Sequence, residues 1–289
     1  SWQSGQRLRQ EVTVLSSELL AYYRRLCRSR FTVVDLETTG HRPPVSRVIE
    51  VSVLHATLDE GILHQQTHLI NPQVKVPAGI TRFTGITQAM VDRAPYSTEV
   101  WREYLPLLSE GVLTAHNLSF DYAFLKAEFN FVDVPFTRLD DEQLCTVKLA
   151  RLMLSELPSR SLPYLVEYFG FDVGRSHRAE ADTQACWMLL EHLLGEIHAT
   201  SDTVLLERFG RQWIPLKVAA TILGVPNRQA KIWLRDAGVE WQLQGRYNTP
   251  MVQRAAVEQV YGERGVAEIR PGPTPDKFAQ TRSRDCLPE

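Results

Sequence analysis

The stretch FTVVDLETTG, residues 31–40, constrains this chain more than any other. Its first six residues are apolar and rich in β-branched side chains, the pattern of a strand buried on both faces. Side chains alternate faces along a strand, so Asp35 and Glu37 leave it on one side while Leu36 points to the other. Two carboxylates side by side at the end of a buried strand repel each other unless a cation lies between them. Two solvated acids at a strand end would be the plainer reading of these residues taken alone.

The rest of the chain predicts what surrounds that strand. Apolar stretches at 47–57 and 61–70, separated by a turn around Asp59 and Glu60, read as a hairpin. Beyond them the pattern predicts a helix near 98–108, a strand at 112–116, a helix at 120–129 and a strand near 143–146. Helices across 147–154, 162–169 and 178–194 follow. Antiparallel strands succeeded by alternating strands and helices predict an α/β fold, a mixed sheet covered by helices, over 31–200. Residues 1–30 carry Val12, Val14, Leu15, Leu19, Leu20, Tyr23 and Leu26 at roughly helical spacing, which predicts an amphipathic helix capping that domain. A small, mainly helical module is expected over 205–265, and the proline-bearing, apolar-poor tail at 270–289 is expected to be disordered.

Two further acids fall at telling places. In HNLSFDYAFL (116–125), His116 and Asn117 form the strand-to-helix turn, Ser119 reads as the N-cap and Asp121 falls in the first helical turn. A favourable helix dipole accounts for such an acid equally well. In HRAEADTQA (177–185), Asp182 heads a stripe continued by Cys186, Leu189 and Leu193, the face that should pack on the sheet. A buried acid needs a metal or a partner such as Arg178. His177 precedes this helix on a glycine-bearing approach.

Charge is unevenly spread. Basic residues outnumber acidic ones six to two in 1–30 and 13 to 10 in 201–289, whereas 31–200 holds 13 basic against 22 acidic. An acidic centre between basic flanks suits carboxylates that hold cations while the flanks meet phosphates. No apolar stretch approaches the ~18–20 residues of a membrane span, so no membrane association is expected. Cys27, Cys145, Cys186 and Cys286 stand far apart, which predicts neither a zinc site nor a disulfide framework and favours the reducing cytoplasm.

In chain order the residues read D-x-E, D, then H-x4-D. This set resembles the DEDDh branch of the DnaQ-like exonucleases, which includes the epsilon proofreading subunit of bacterial DNA polymerase III, over about residues 31–195. PAGITRFTGIT (77–87) resembles that family's segment beside the substrate terminus. The resemblance implies a ribonuclease-H-like fold with a mixed five-stranded sheet flanked by helices. It implies that Asp35, Glu37, Asp121 and Asp182 hold two divalent cations, Mg²⁺ or Mn²⁺, an all-oxygen set that argues against zinc. Asp35 would bridge them, Glu37 and Asp182 would complete one site, and Asp121 would support the other. His177 would act as general base, as histidine's free pKa suits. Thr38, Thr39 and Gly40, with Thr84, Gly85 and Ile86, would bracket the terminal 3′ nucleotide, and the product would be a nucleoside 5′-monophosphate.

Residues 214–240 read as helix, Gly224-Val225-Pro226 turn, and second helix. They resemble the excisionase and MerR-type winged helices, with 241–247 as the wing and Arg228, Lys231 and Arg235 turned toward DNA. A protein-docking role fits the same pattern. This module tilts the expected substrate to DNA. An exoribonuclease remains the alternative, since oligoribonuclease and RNase T share the five catalytic positions, and so does a non-catalytic DNA-binding regulator. No clamp-binding peptide follows the domain, which favours a free-standing nuclease over a polymerase subunit. The oligomeric state and the biological role stay open at this point.

Overall fold

Phe31–Thr38 (β1) is the centre strand of a five-stranded sheet, with Val48–Thr57 (β2) on one side and Val112–Ala115 (β4) on the other. Gly61–Leu69 (β3) lies outside β2 and Gln143–Cys145 (β5) outside β4, giving the order β3-β2-β1-β4-β5. β1, β2 and β3 pair antiparallel, and β4 and β5 run parallel to β1, so the sheet is mixed as expected. This computed structural model describes residues 15–245 and 247–265. The expectations for Val12, Val14 and the 270–289 tail fall outside those residues. The chain divides into two units, Ser1–Trp213 and Ile214–Glu289. The division thus lies at 213/214 and not at 200–205.

Alternation sorts the first unit's core into two layers. Phe31 and Val33 of β1, with Leu54 and Ala56 of β2, pack beneath Ser16–Leu26 (α1), Thr146–Met153 (α6), Leu162–Phe169 (α7) and Ala179–Ala199 (α8). Val34 and Leu36, with Val51 and Val53, pack under Ser97–Leu108 (α4) and Leu118–Phe131 (α5). Both faces are covered, so β1 and β2 are almost wholly buried, whereas the edge strand β3 is partly exposed and carries Gln65, Gln66, Thr67 and His68. Where β4 meets β1, the Val112 amide donates to the Arg30 carbonyl at 2.8 Å. A side chain at Gly111, whose φ is +55°, would come within 2.5 Å of that carbonyl oxygen, so only glycine fits there.

Three short helices were not legible as such. Ala78–Thr84 (α2) and Gln88–Asp92 (α3) occupy the PAGITRFTGIT region and just beyond, anchored by Val76, Ile86 and Val91 on Ile49 of β2. Asp202–Gly210 (α9) buries Leu205 and Phe209 in the same core layer as Leu20 and Tyr23, which is why the first unit runs past residue 200. α5 begins at Leu118 behind Asn117, which takes φ +82°. Ser119 is therefore inside the first turn and not the N-cap, its hydroxyl bonding the Asn117 side chain at 3.1 Å.

The second unit starts within Trp213–Pro215 (β6) and holds Leu216–Leu223 (α10), Asn227–Asp236 (α11), Gln242–Gln244 (β7), Thr249–Gln253 (β8) and Arg254–Val260 (α12), with strand order β6-β8-β7. Ala219, Ile222, Leu223, Trp233, Leu234, Val252 and Val257 form its interior. Helix, three-residue turn and helix stand in the order the sequence predicted, and the β segment expected over 241–247 is a hairpin that runs on to Gln253. Among the described residues no helix is long and apolar enough to cross a membrane, and Cys27, Cys145 and Cys186 are free thiols.

Candidate active site

The face of β1 that begins with Phe31 and Val33 ends in Asp35 and Glu37. On β2, Ser52 lies opposite Asp35 and Glu50 opposite Glu37, so four polar side chains continue a face that is apolar further back. The first turn of α8 lies over this end. Asp182 meets Asp35 and Glu37 there, and each of the three can place a carboxylate oxygen within 4.8 Å of the others. Asp121 arrives from α5, in the layer across the sheet. It is 4 % exposed, held by the backbone amide of Leu36 and its own, and lies outside that trio.

Crowding and burial raise all four acids. Asp35 is pushed well above the ordinary carboxylate range by burial first, then by Asp121, Asp182, Glu37 and Glu50. Glu37 is pushed up to about 8 by burial, Asp182 and Glu50, with Arg178 pulling the other way. Burial likewise raises Asp121, against its backbone amide bonds, and Asp182, against the His177 amide and charge. Among the described residues no basic side chain hydrogen-bonds to Asp35, Glu37 or Asp182; Asp182 accepts only the His177 backbone amide, at 3.0 Å. Ionised carboxylates in this arrangement need an external counter-charge. A hard divalent cation with oxygen ligands fits the donor set.

Arg178 does not pair with Asp182. Its guanidinium engages Glu50, with Nη2 to Oε1 at 2.5 Å and Nε at 3.1–3.2 Å, and the Ala179 amide donates to the same carboxylate at 2.9 Å. Glu50, only 1 % exposed, therefore caps α8 and holds the segment between His177 and Asp182. One turn on, the Thr183 hydroxyl bonds Ser52 at 2.9 Å and accepts from Gln65, while Thr67 donates to Ser52. This polar seam fixes the start of α8 to β2 and β3. Glu50 went unnoticed in the sequence. The signal was a lone acid inside the apolar stretch RVIEVSVL, which had to find a partner.

A second buried ion pair secures the loop after Glu37. Thr39 and Arg47 exchange bonds across it, Thr39 amide to Arg47 carbonyl at 2.8 Å and Arg47 amide to Thr39 Oγ1 at 2.9 Å. The Arg47 guanidinium then binds Glu128 of α5 through Nε at 2.7 Å and Nη2 at 2.9 Å. Glu128 also accepts from the Val48 amide and the Trp101 indole. The strand carrying Asp35 and the helix carrying Asp121 are thereby tied together.

The residues expected to bracket a substrate differ in what they offer. Thr38 donates to the Gly40 carbonyl, and Thr84, 2 % exposed, donates to the Ile80 carbonyl and accepts the Ile86 amide. Ile86 is fully buried. Thr39, Gly40 and Gly85 are partly open, and Gly85 closes α2 with φ +80°, a left-handed position suited to glycine. His177 is half-buried, has φ +64°, and stacks its ring on exposed Phe83 with centroids 3.8 Å apart. His116 is neutral: burial lowers it to about 4, and its ring nitrogens bond Thr146 and the Arg160 carbonyl.

In the second unit, Arg228, Lys231 and Arg235 lie exposed along one face of α11, with Ile232 beside them at 45 % exposure.

Comparison with known proteins gives one consistent neighbourhood. The family model for exonuclease, of the RNase T kind, matches residues 32–190. A PolC-type DNA polymerase III of Clostridium perfringens is 32 % identical over 161 residues, 56 % of this chain and 11 % of the relative. The 3′-5′ exonuclease DinG of Bacillus subtilis is 30 % identical over 172 residues, 59 % of this chain and 18 % of the relative. The chain thus spans less than a fifth of either relative's length. Among solved structures, the nuclease domain of 3′hExo, a DEDDh family member bound to rAMP, superposes with a TM-score of 0.51 at 19 % identity. It covers 58 % of this chain and 92 % of that one, a likeness of fold.

Proposed function

Because this chain belongs to the exonuclease family, we propose that it acts as a member of the DEDDh branch, hydrolysing DNA from the 3′ end and releasing nucleoside 5′-monophosphates. The observation that carries the reading is the trio Asp35, Glu37 and Asp182, which converge with no basic side chain hydrogen-bonded to them among the described residues and stand beside His177. The 3′→5′ direction draws on the DinG relative's described activity.

Asp35, Glu37 and Asp182 would hold a divalent cation, and Asp121, whose charge bears on Asp35, would support a second. Two such ions, Mg²⁺ or Mn²⁺, supply an activated water and stabilise charge on the attacking and leaving oxygens. His177, whose ring lies against Phe83, takes the water's proton as general base. Thr39, Gly40 and Gly85 face the terminal nucleotide, while Thr38, Thr84 and Ile86 shape those turns from within. In the second unit, Arg228, Lys231 and Arg235 on an exposed helix face, followed by the β7–β8 hairpin, suit duplex phosphates and favour DNA over RNA.

Digestion of end-labelled DNA and RNA, with Mg²⁺ or with EDTA, tests this. Stepwise loss of 3′ mononucleotides from DNA, blocked by EDTA and by a 3′ phosphate, is expected. Internal cuts in a 3′-blocked strand, or activity in EDTA, would overturn the reading. Faster digestion of RNA would reassign the substrate.

A further inference from the structure

Arg175 is a cation that stands outside the site's ion pairs. It is exposed, lies two residues before His177, and makes no hydrogen bond or ion pair with any described residue. Its guanidinium reaches across to the end of α2. A carbon added at Gly85 would lie in ordinary contact with Nη1 at 3.5 Å and Cζ at 4.0 Å, so the guanidinium stands directly beside the Gly85 turn. Phe83 and His177 make the neighbouring contact between the same two segments.

The electrostatics give this cation a task. Asp35, Glu37, Glu50, Asp121 and Asp182 act on one another as a cluster of like charge, and Arg178 is engaged by Glu50. A nucleic-acid end entering that field carries one negative charge per linkage. Cations bound by the carboxylates offset the field at the scissile phosphate only. The flanking linkages need positive groups at the rim, and an unpaired arginine has a planar fork that matches phosphate oxygens.

We infer that Arg175 binds a backbone phosphate of the substrate strand other than the scissile one, beside the terminal nucleotide that Gly85 helps to bracket. The inference rests on the function proposed above. It has a mechanical corollary: only Ser176 separates Arg175 from His177, so a phosphate that draws Arg175 also pulls on the stacked histidine. The left-handed backbone of His177, uncommon for a residue with a side chain, gives that segment a lower-energy conformation to move into once the stack opens.

The test is binding of the full chain to a short single-stranded oligonucleotide in Ca²⁺, over a range of salt, for wild type, Arg175→Ala and Arg175→Lys. Arg175→Ala should weaken binding about tenfold, as removal of one charge-assisted hydrogen bond does. It should also lessen the slope of log affinity against log salt by roughly 0.7. Arg175→Lys should restore the slope but only part of the affinity. On the p-nitrophenyl ester of thymidine 5′-monophosphate, which has no flanking phosphate, KM should be the same in Arg175→Ala and wild type. An unchanged salt slope, or an equal rise of KM on the ester, overturns the assignment. A wild type that binds but cleaves neither substrate counts against the proposed function instead, since the slope decides Arg175 without any cleavage.

Discussion

Arg178 points its guanidinium at Glu50, 2.5 Å away, although Asp182 lies one helical turn along the same segment. The arrangement keeps a basic group from neutralising the carboxylates that a cation needs. Glu50→Ala should release Arg178 toward Glu37 and Asp182 and weaken Mn²⁺ binding several-fold, as read by calorimetric titration. Arg178→Ala strands a buried carboxylate. Because the Arg178 side chain is 39 % exposed, the cost should be about 1–3 kcal/mol, below that of a fully buried pair, as read by urea unfolding. Equal Mn²⁺ affinity in Glu50→Ala and wild type would leave the pair a purely structural cap.

His177→Ala removes the base and leaves the four carboxylates in place. Turnover should fall by about 10²–10⁴-fold with Mn²⁺ affinity unchanged. Asp182→Ala should lose both rate and metal affinity. Rapid-quench turnover beside metal titration separates the two, and a fully active His177→Ala enzyme would remove histidine from the mechanism.

The raised carboxylates make metal-free stability depend on pH. Glu37 in the fold titrates near 8, against 4.5 for the free side chain, so between those values the folded chain binds a proton that the unfolded chain has released. Stability is then fullest below about 4.5 and declines as pH rises toward 8; Asp35, Asp121 and Asp182 shift in the same sense. Thermal melts in EDTA should show Tm falling from pH 6 to pH 8 relative to an Asp35→Asn, Glu37→Gln variant. The gain in Tm on adding Mn²⁺ should be larger at pH 8. A metal-induced gain independent of pH would contradict the crowding.

Simultaneous replacement of Arg228, Lys231 and Arg235 by alanine leaves the first unit untouched. Affinity for long duplex DNA should drop, and its salt slope should lessen by roughly 0.9 for each phosphate no longer neutralised. Rates on short oligonucleotides should hold. Unchanged duplex affinity would make the exposed face of α11 a docking surface for protein.

The sequence made the site's first-rank groups legible because each announces itself locally. Asp35 and Glu37 interrupt an apolar period-two pattern, and Asp182 heads a helical stripe whose remaining members, Cys186, Leu189 and Leu193, are all buried. What stayed hidden depends on long-range pairing. Glu50 and Arg178 are 128 residues apart and Arg47 and Glu128 are 81 apart, separations at which no local spacing says which arginine answers which acid. The plausible local pair, Arg178 with Asp182, was the wrong one for that reason. α2 and α3 escaped notice because helices of seven and five residues show too little periodicity. The Asn117 cap escaped because a left-handed asparagine leaves no mark that the nearby serine does not also leave.

The Arg47–Glu128 pair bears on how such a chain can change over generations. Substituting Arg47 alone strands a carboxylate in the interior, and substituting Glu128 alone strands a guanidinium together with the amide of Val48 and the indole of Trp101. Either single step loosens both the strand that carries Asp35 and the helix that carries Asp121, so a lineage leaving this arrangement crosses a valley of reduced fitness. Descendants should therefore alter the two positions jointly or keep both, and this remote pair should be inherited as a unit along with the carboxylates it supports.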